Sequence, residues 1–480
     1  MLRFVSARFV HVACVPGLAV VALVALVGAP VFAESLAELL ARERAGVERS
    51  EEELGDPMPP RGTQRLGVFR SATLVLAGGD VPAGETGAVV SLNSPFTNSL
   101  GQVGFVGDLN VADTGDRFVW ADDGIVWHNS DGAPAVLSGA EGTMGLGDAG
   151  QFIYSPSDDG GDAVWSHNGA VLVEGAQAPG FPGGVVNIFN SRPTMDADGR
   201  AYWVAGFNDA GGTATLGRVL YTSPTAAAGD IEVVLRSDDL VGGFPIARPS
   251  GIDFDYDFST DGAHGIASLV LDTGSSATDA AVAVDGMLVA REGSPIGGGT
   301  NWASFDSVAI NGGGHYLFSG DSDGPTATDE FIAYDSTIVM FEGFTLDGRE
   351  LTSPATVGAL SIDEAGSAVH LWSIAGGAEL LFFACEAFDL SDSILVLATG
   401  EGLDFDGDDN PDATVTDFNA SSAVGPGLAL SATGPIYVEL DIDDGGGAVE
   451  AIVALERPVC MPFIDGFETG DTFRWSATVP

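Results

Sequence analysis

Five oxygen-bearing side chains packed into nine positions carry the strongest chemical signal in this chain: Asp404, Asp406, Asp408, Asn410 and Asp412, in the run DFDGDDNPD. Alternate residues of a turning loop point the same way, and Ca2+ accepts several oxygens at flexible geometry. The spacing predicts a Ca2+ site, with a Kd of ~10⁻⁴ to 10⁻³ M as in extracellular modules. The competing reading is an acidic loop that faces water. Asp253, Asp255 and Asp257, followed by Asp261, repeat the spacing with Phe254, Tyr256 and Phe258 between them. That alternation predicts a one-sided strand instead.

Other chemistries find little support. The chain has six His. His11 falls in the leader described below, while His128, His167, His264, His315 and His370 lie in or beside strands at differing positions. Each reads as a surface or partly buried strand residue. No HExxH and no close His pair marks a zinc site. Gly320, Ser322 and Gly324 spell GxSxG, but PTATDE follows where a nucleophile elbow needs a helix, so a polar turn is expected. Cys385 has no His partner nearby in sequence. GGG at 312–314 lacks the Lys of a phosphate loop. A fold can pair two of the 68 acids as in a glycosidase, but the sequence does not point to the pair.

The 68 acids face 18 basic residues, all Arg, for a net charge of −50. Such a field repels nucleic acid and anionic membranes and favours divalent cations. With 45% hydrophobic residues and 67 Gly, the composition is not that of a disordered acidic chain. Arg3 and Arg8, an apolar run over 12–27, and the small residues Val31 and Ala33 predict a secretory signal over 1–33. The competing reading, an uncleaved anchor, is weakened by Pro16, Gly17 and Pro30. No later stretch reaches the ~20 apolar residues of a membrane-crossing helix. Cys14 belongs to the signal. Outside the cell Cys385 and Cys460 have two options, one bridge or two separate thiols, and the bridge is favoured because nothing else consumes them.

The elements that position these groups repeat. A polar or small residue, two residues, Gly and an alternating apolar run recur, with the glycine at Gly101, Gly150, Gly199, Gly262, Gly314, Gly366 and Gly434. Asn, Asp or Ser at the first position bonds its own backbone two residues on, and Gly supplies a positive φ. A strand, a two-residue polar turn and a second strand recur at 163–175, 281–293 and 331–343, and more weakly at 118–129, as hairpins. A third piece, Gly-x-x-x-Pro or close to it, starts at Gly78 and Gly175 and is shortened at Gly293. Four short strands per unit predict an all-β repeat protein, a β-propeller of about six or seven blades. Residues 34–65 read as a short helix and linker, 66–456 as the repeat domain and 457–480 as a tail.

The turn at Asn98, Gly101, Gly104 and Phe105 resembles the tandem NxxGxxAF-type repeats of secreted bacterial proteins, over roughly residues 66–400. That resemblance implies a repeat fold at the cell surface and no activity. The run at 404–412 resembles the DxDxDGxxD loops of integrin-type propeller repeats and thrombospondin-type calcium repeats, departing at Asp409 where those loops have Gly. It implies side-chain oxygens from Asp404, Asp406, Asp408 and Asp412 and a backbone carbonyl from Asn410. FIDGFETGDTFRWSATVP at 463–480 resembles the DGFESGDTSxWS tail of diverse exported bacterial proteins, with Thr469 and Phe473 departing. A sorting tail and a terminal strand both remain open. The expectation is a secreted or cell-surface, non-enzymatic protein that binds or scaffolds, with an extracellular protein or glycan as unidentified partner. The alternative is a polysaccharide hydrolase, marked by two carboxylates about 5–10 Å apart beside exposed aromatics.

Overall fold

The computed structural model describes residues 69–111, 117–128, 140–158, 161–188, 192–212, 215–249, 251–420, 426–432 and 434–460. The expected signal, the helix and linker at 34–65, and the tail beyond 460 lie outside them.

Six antiparallel meanders follow one another. Blade 1 runs from Val89–Leu92 to Gly124–His128, and blade 2 from Ala140–Leu146 to Gly169–Val173. Blade 3 runs from Gly184–Ile188 to Glu232–Arg236, and blade 4 from Ile252–Phe258 to Met287–Arg291. Blade 5 runs from Val308–Ile310 to Thr337–Phe341, and blade 6 from Thr356–Ile362 to Ile394–Ala398. A closing sheet of six strands completes the set. In it Phe69–Ala77 lies parallel to Gly402–Asp404 and antiparallel to Ala448–Leu455, so both ends of the described chain share one sheet.

The innermost strands touch in order around a ring, from Phe96–Thr97 of blade 1 through each blade to Leu428–Leu430 of the closing sheet and back to Phe96–Thr97. This is a β-propeller. Its core is divided accordingly: seven hydrophobic clusters, each shared by two neighbouring sheets. Trp203 and Tyr221 fill the seam of blades 2 and 3, and Trp372 and Phe382 that of blades 5 and 6. Fully burying one such side chain contributes about 1.5–3 kcal/mol, and one blade alone has nothing to bury it against. At Gly145 the inner strands come so close that a Cβ would lie 2.4 Å from the Met195 nitrogen.

The recurring turns sit one per sheet, at one end of the ring. Six of the marked glycines have positive φ, from 65° at Gly262 to 87° at Gly199. Gly434 differs: its φ is not left-handed, and its N–H donates instead to Ser431 Oγ at 2.9 Å. The leading polar residue holds the turn, as where Asp363 Oδ1 accepts from Ala365 N and Ser367 N. The expected hairpins are present, with Asp285 and Asp335 left-handed in two of their turns. His264 and His315 occupy like places, each 2.8 Å from one of those carboxylates.

His370 departs from the surface or partly buried place expected for it. It is fully buried, accepting from Trp372 Nε1 at Nδ1 and bonded through Nε2 to Ser393 Oγ, each at 2.9 Å. Burial holds its pKa down at about 3. Neighbours on both nitrogens satisfy the ring, so no charge is needed there.

Candidate metal centre and the central channel

Residues 405–412 are the loop of a hairpin between Gly402–Asp404 and Ala413–Phe418, registered through Leu403 and Ala413. Asp404 is buried and ends the first strand. Its carboxylate accepts from Gly407 N at 2.7 Å and from Asp409 N at 3.1 Å, folding the loop over itself. Asp412 Oδ2 accepts from Phe405 N at 2.7 Å, and Asp412 N donates to Leu403 O at 2.7 Å. Two left-handed residues make the sharp turns: Gly407 at φ 75° and Asp409 at φ 67°. Asp tolerates that region better than most residues, so Asp409 does what glycine does elsewhere.

Of the five predicted ligands, the loop gathers three. Asp404, Asp406 and Asp412 each bring one carboxylate oxygen within 4.8 Å of the others. Asp408 instead accepts from Asn410 N at 2.9 Å and Asn410 Nδ2 at 3.1 Å. Three convergent carboxylates suit a hard cation whose remaining positions are filled by water or backbone oxygen.

A second group of three carboxylates escaped sequence reasoning: Asp306, Asp321 and Glu330, also with oxygens within 4.8 Å. They come from the approach to blade 5, its second strand and its third. Glu330 is 3% exposed and accepts from Val357 N of blade 6 at 2.8 Å. Burial pushes its pKa up to about 9, with Asp306 and Asp321 adding to the rise. The register of the second and third strands of blade 5, which sets Asp321 opposite Glu330, brings these residues together, and no local spacing announces it.

Cys385 and Cys460 are joined as a disulfide, with Cα atoms 5.5 Å apart. Beside it Arg457 reaches Asp363 Oδ2 of blade 6 at 2.6 Å and Ser431 O of the closing sheet at 3.3 Å. Blade 6 is thus tied to the closing sheet by a covalent bond and an ion pair.

The channel at the ring's centre has a volume of about 160 Å3 and takes lining residues from every sheet, among them Phe96, Thr143, Met195, Asp257, Val308 and Leu430. On its lining Arg192 Nη1 pairs with Asp255 Oδ1 of the neighbouring blade 4 at 3.0 Å. Ser322 follows strand Tyr316–Asp321 and is bridged to Trp302, with its Oγ accepting from Gly324 N. Among the described residues no group of His, Cys, Asp and Glu with metal-holding geometry includes a His. No described helix is long and apolar enough to cross a membrane.

No family model and no curated protein matches the chain. Solved structures resemble it distantly. Prolyl oligopeptidase B from Galerina marginata, apo protein, has 10% identity and a TM-score of 0.39, covering 73% of this chain and 47% of that one. This chain therefore spans about half the length of that enzyme. The Dos1 propeller has 8% identity and a TM-score of 0.34, covering 80% and 95%. A protein of unknown function from Bacteroides caccae has 13% identity and a TM-score of 0.32, covering 61% and 93%. At such identities these are likenesses of fold alone.

Proposed function

We propose that this protein is an exported, non-catalytic β-propeller that binds or scaffolds outside the cell, secreted or held at the cell surface, with Ca2+ seated in the 404–412 loop. The observation that carries the reading is the convergence of Asp404, Asp406 and Asp412 on one point of a self-closed loop. Export rests on the leader at 1–33 and fits the Cys385–Cys460 disulfide, since such bonds persist in oxidising compartments. The NxxGxxAF-like turns and the 463–480 tail point the same way. The partner is an extracellular protein or glycan. The hydrolase reading gains nothing from the second carboxylate group, because Glu330 is buried and pinned by the Val357 N–H.

Calorimetric titration with Ca2+ tests the proposal. The wild type should release or absorb heat with a Kd of ~10⁻⁴ to 10⁻³ M, and Asp406→Ala should not. A wild type without a heat signal, and without any calcium shift in melting temperature, would remove Ca2+ from the reading. Export is checked separately, by fractionating cells that express the full chain.

A further inference from the structure

Four consecutive seams share a device that no single blade reveals. In each, a carboxylate on one sheet accepts a backbone N–H from the next. Asp257 of blade 4 takes Ile310 N of blade 5 at 3.0 Å. Glu330 of blade 5 takes Val357 N of blade 6 at 2.8 Å. Glu379 of blade 6 takes Phe418 N of the closing sheet at 2.8 Å, and Glu450 of the closing sheet takes Leu92 N of blade 1 at 2.7 Å. The seam of blades 1 and 2 runs the other way, with the half-buried Asp148 of blade 2 accepting from Ser99 N of blade 1 at 3.2 Å. The next two use neutral or cationic donors to carbonyls: Thr143 to Pro193 and Ser166 to Ala226 between blades 2 and 3, and Arg218 to Ile252 between blades 3 and 4.

Each acid has further acids close by, some in its own sheet and some across the seam. Asp257 faces Glu364, beside the Arg192–Asp255 pair of the channel. Glu330 faces Asp306 and Asp321, and Glu379 faces Asp417. Glu450 faces Asp441, Asp108 (itself paired with Arg117) and the buried Glu439, whose Oε2 meets no donor. A buried carboxylate in such company favours its neutral form. A proton leaves the bonded oxygen free to keep accepting from the neighbouring blade. It also lets the acid donate to Asp321 at Glu330 and to Asp417 at Glu379.

We propose that these four seams are proton-operated latches, tight while their carboxyl groups are neutral and loosened when the protons leave. Burial, reinforced by the facing acids, raises all of these groups: Asp257 to about 7, Glu439 to about 8 and Glu330 to about 9, with Glu379 and Glu450 moved the same way. An acid whose pKa is raised by folding contributes stability that is complete below its unfolded value. For Glu330 that value is 4.5, and the contribution is lost as pH climbs to about 9. His370 works in the opposite sense, between 6.5 and about 3, and is outnumbered. The ring should therefore be firmest in mildly acidic medium.

Thermal unfolding of the full chain in chelator, from pH 5 to pH 9, reads this directly and leaves the calcium loop out of play. The wild-type Tm should fall by about 5 °C or more across that range. Glu330→Gln and Glu439→Gln, which mimic the neutral form, should each melt higher than wild type at pH 9 and close to it at pH 5. Glu386→Gln, at an exposed carboxylate, should keep the full slope. Should either Gln variant fail to fold, hydrogen exchange on the wild type decides instead. Corrected for intrinsic rates, protection at Ile310, Val357, Phe418 and Leu92 should drop with rising pH more than at Ala226 and Ile252. A wild-type Tm that is flat or rises from pH 5 to 9, a full slope retained in both Gln variants, or uniform protection overturns the proposal.

Discussion

Two groups of three carboxylates stand in opposite surroundings. At 404–412 two of the three acids face water, and at 306, 321 and 330 the central acid is buried in a seam. The loop's carboxylates are free to be solvated by water and by the loop's own backbone N–H groups. The seam has no such freedom, and the Glu330 pKa rises until the group keeps a proton at neutral pH. The same residue types thus form an open loop suited to a hard cation in one place and a seam between blades in the other, and burial decides which.

The contrast is tested most severely by opening the ring beside the loop. Cys460→Ser releases a closure with a sequence separation of 75, worth about 4 kcal/mol on loop entropy. Denaturant unfolding should show that loss, and Ca2+ affinity should fall while Val357 keeps its exchange protection. Glu330→Ala attacks the other member. It strips the Val357 N–H of its partner at a buried site and should cost about 1–3 kcal/mol, with Ca2+ binding unchanged. Adding 10 mM Ca2+ should stabilise the wild type by about 1.4–2.7 kcal/mol for the expected affinity, and Asp406→Ala not at all. The smallest effect belongs to Asp408→Ala, whose carboxylate is exposed and bonded only within the loop. Without Ca2+ its stability should stay within about 0.5 kcal/mol of wild type by thermal melting.

What the sequence disclosed was local. The Asx-type turn needs only four residues, so each shows itself wherever it recurs, and the hairpins at 281–293 and 331–343 carry their turn residues with them. Blade number stayed open between six and seven because the closing sheet is no tandem unit. Its strand Phe69–Ala77 comes from one end of the described chain and the rest from the other. The acidic loop was visible through its Asp spacing, yet the diversion of Asp408 to Asn410 depends on the turn at Asp409. Glu330, Glu379 and Glu450 gave no signal and Asp257 only that of a strand, since each is defined by a partner in another blade. His370 was misplaced for a related reason: Trp372 and Ser393 satisfy it from within its own sheet, which lets an imidazole sit where only apolar groups are expected.

The shared sheet also sets an order of events in the life of the chain. Phe69–Ala77 is the first of the described segments to emerge from synthesis, yet its antiparallel neighbour Ala448–Leu455 is among the last. Until then six meanders stand as an open arc with two bare apolar flanks, and the leading strand has no sheet to join. Such an arc is vulnerable to aggregation and to proteases. If the chain crosses a membrane as an unfolded thread, that delay becomes useful, because the ring cannot lock before its final strands have passed through.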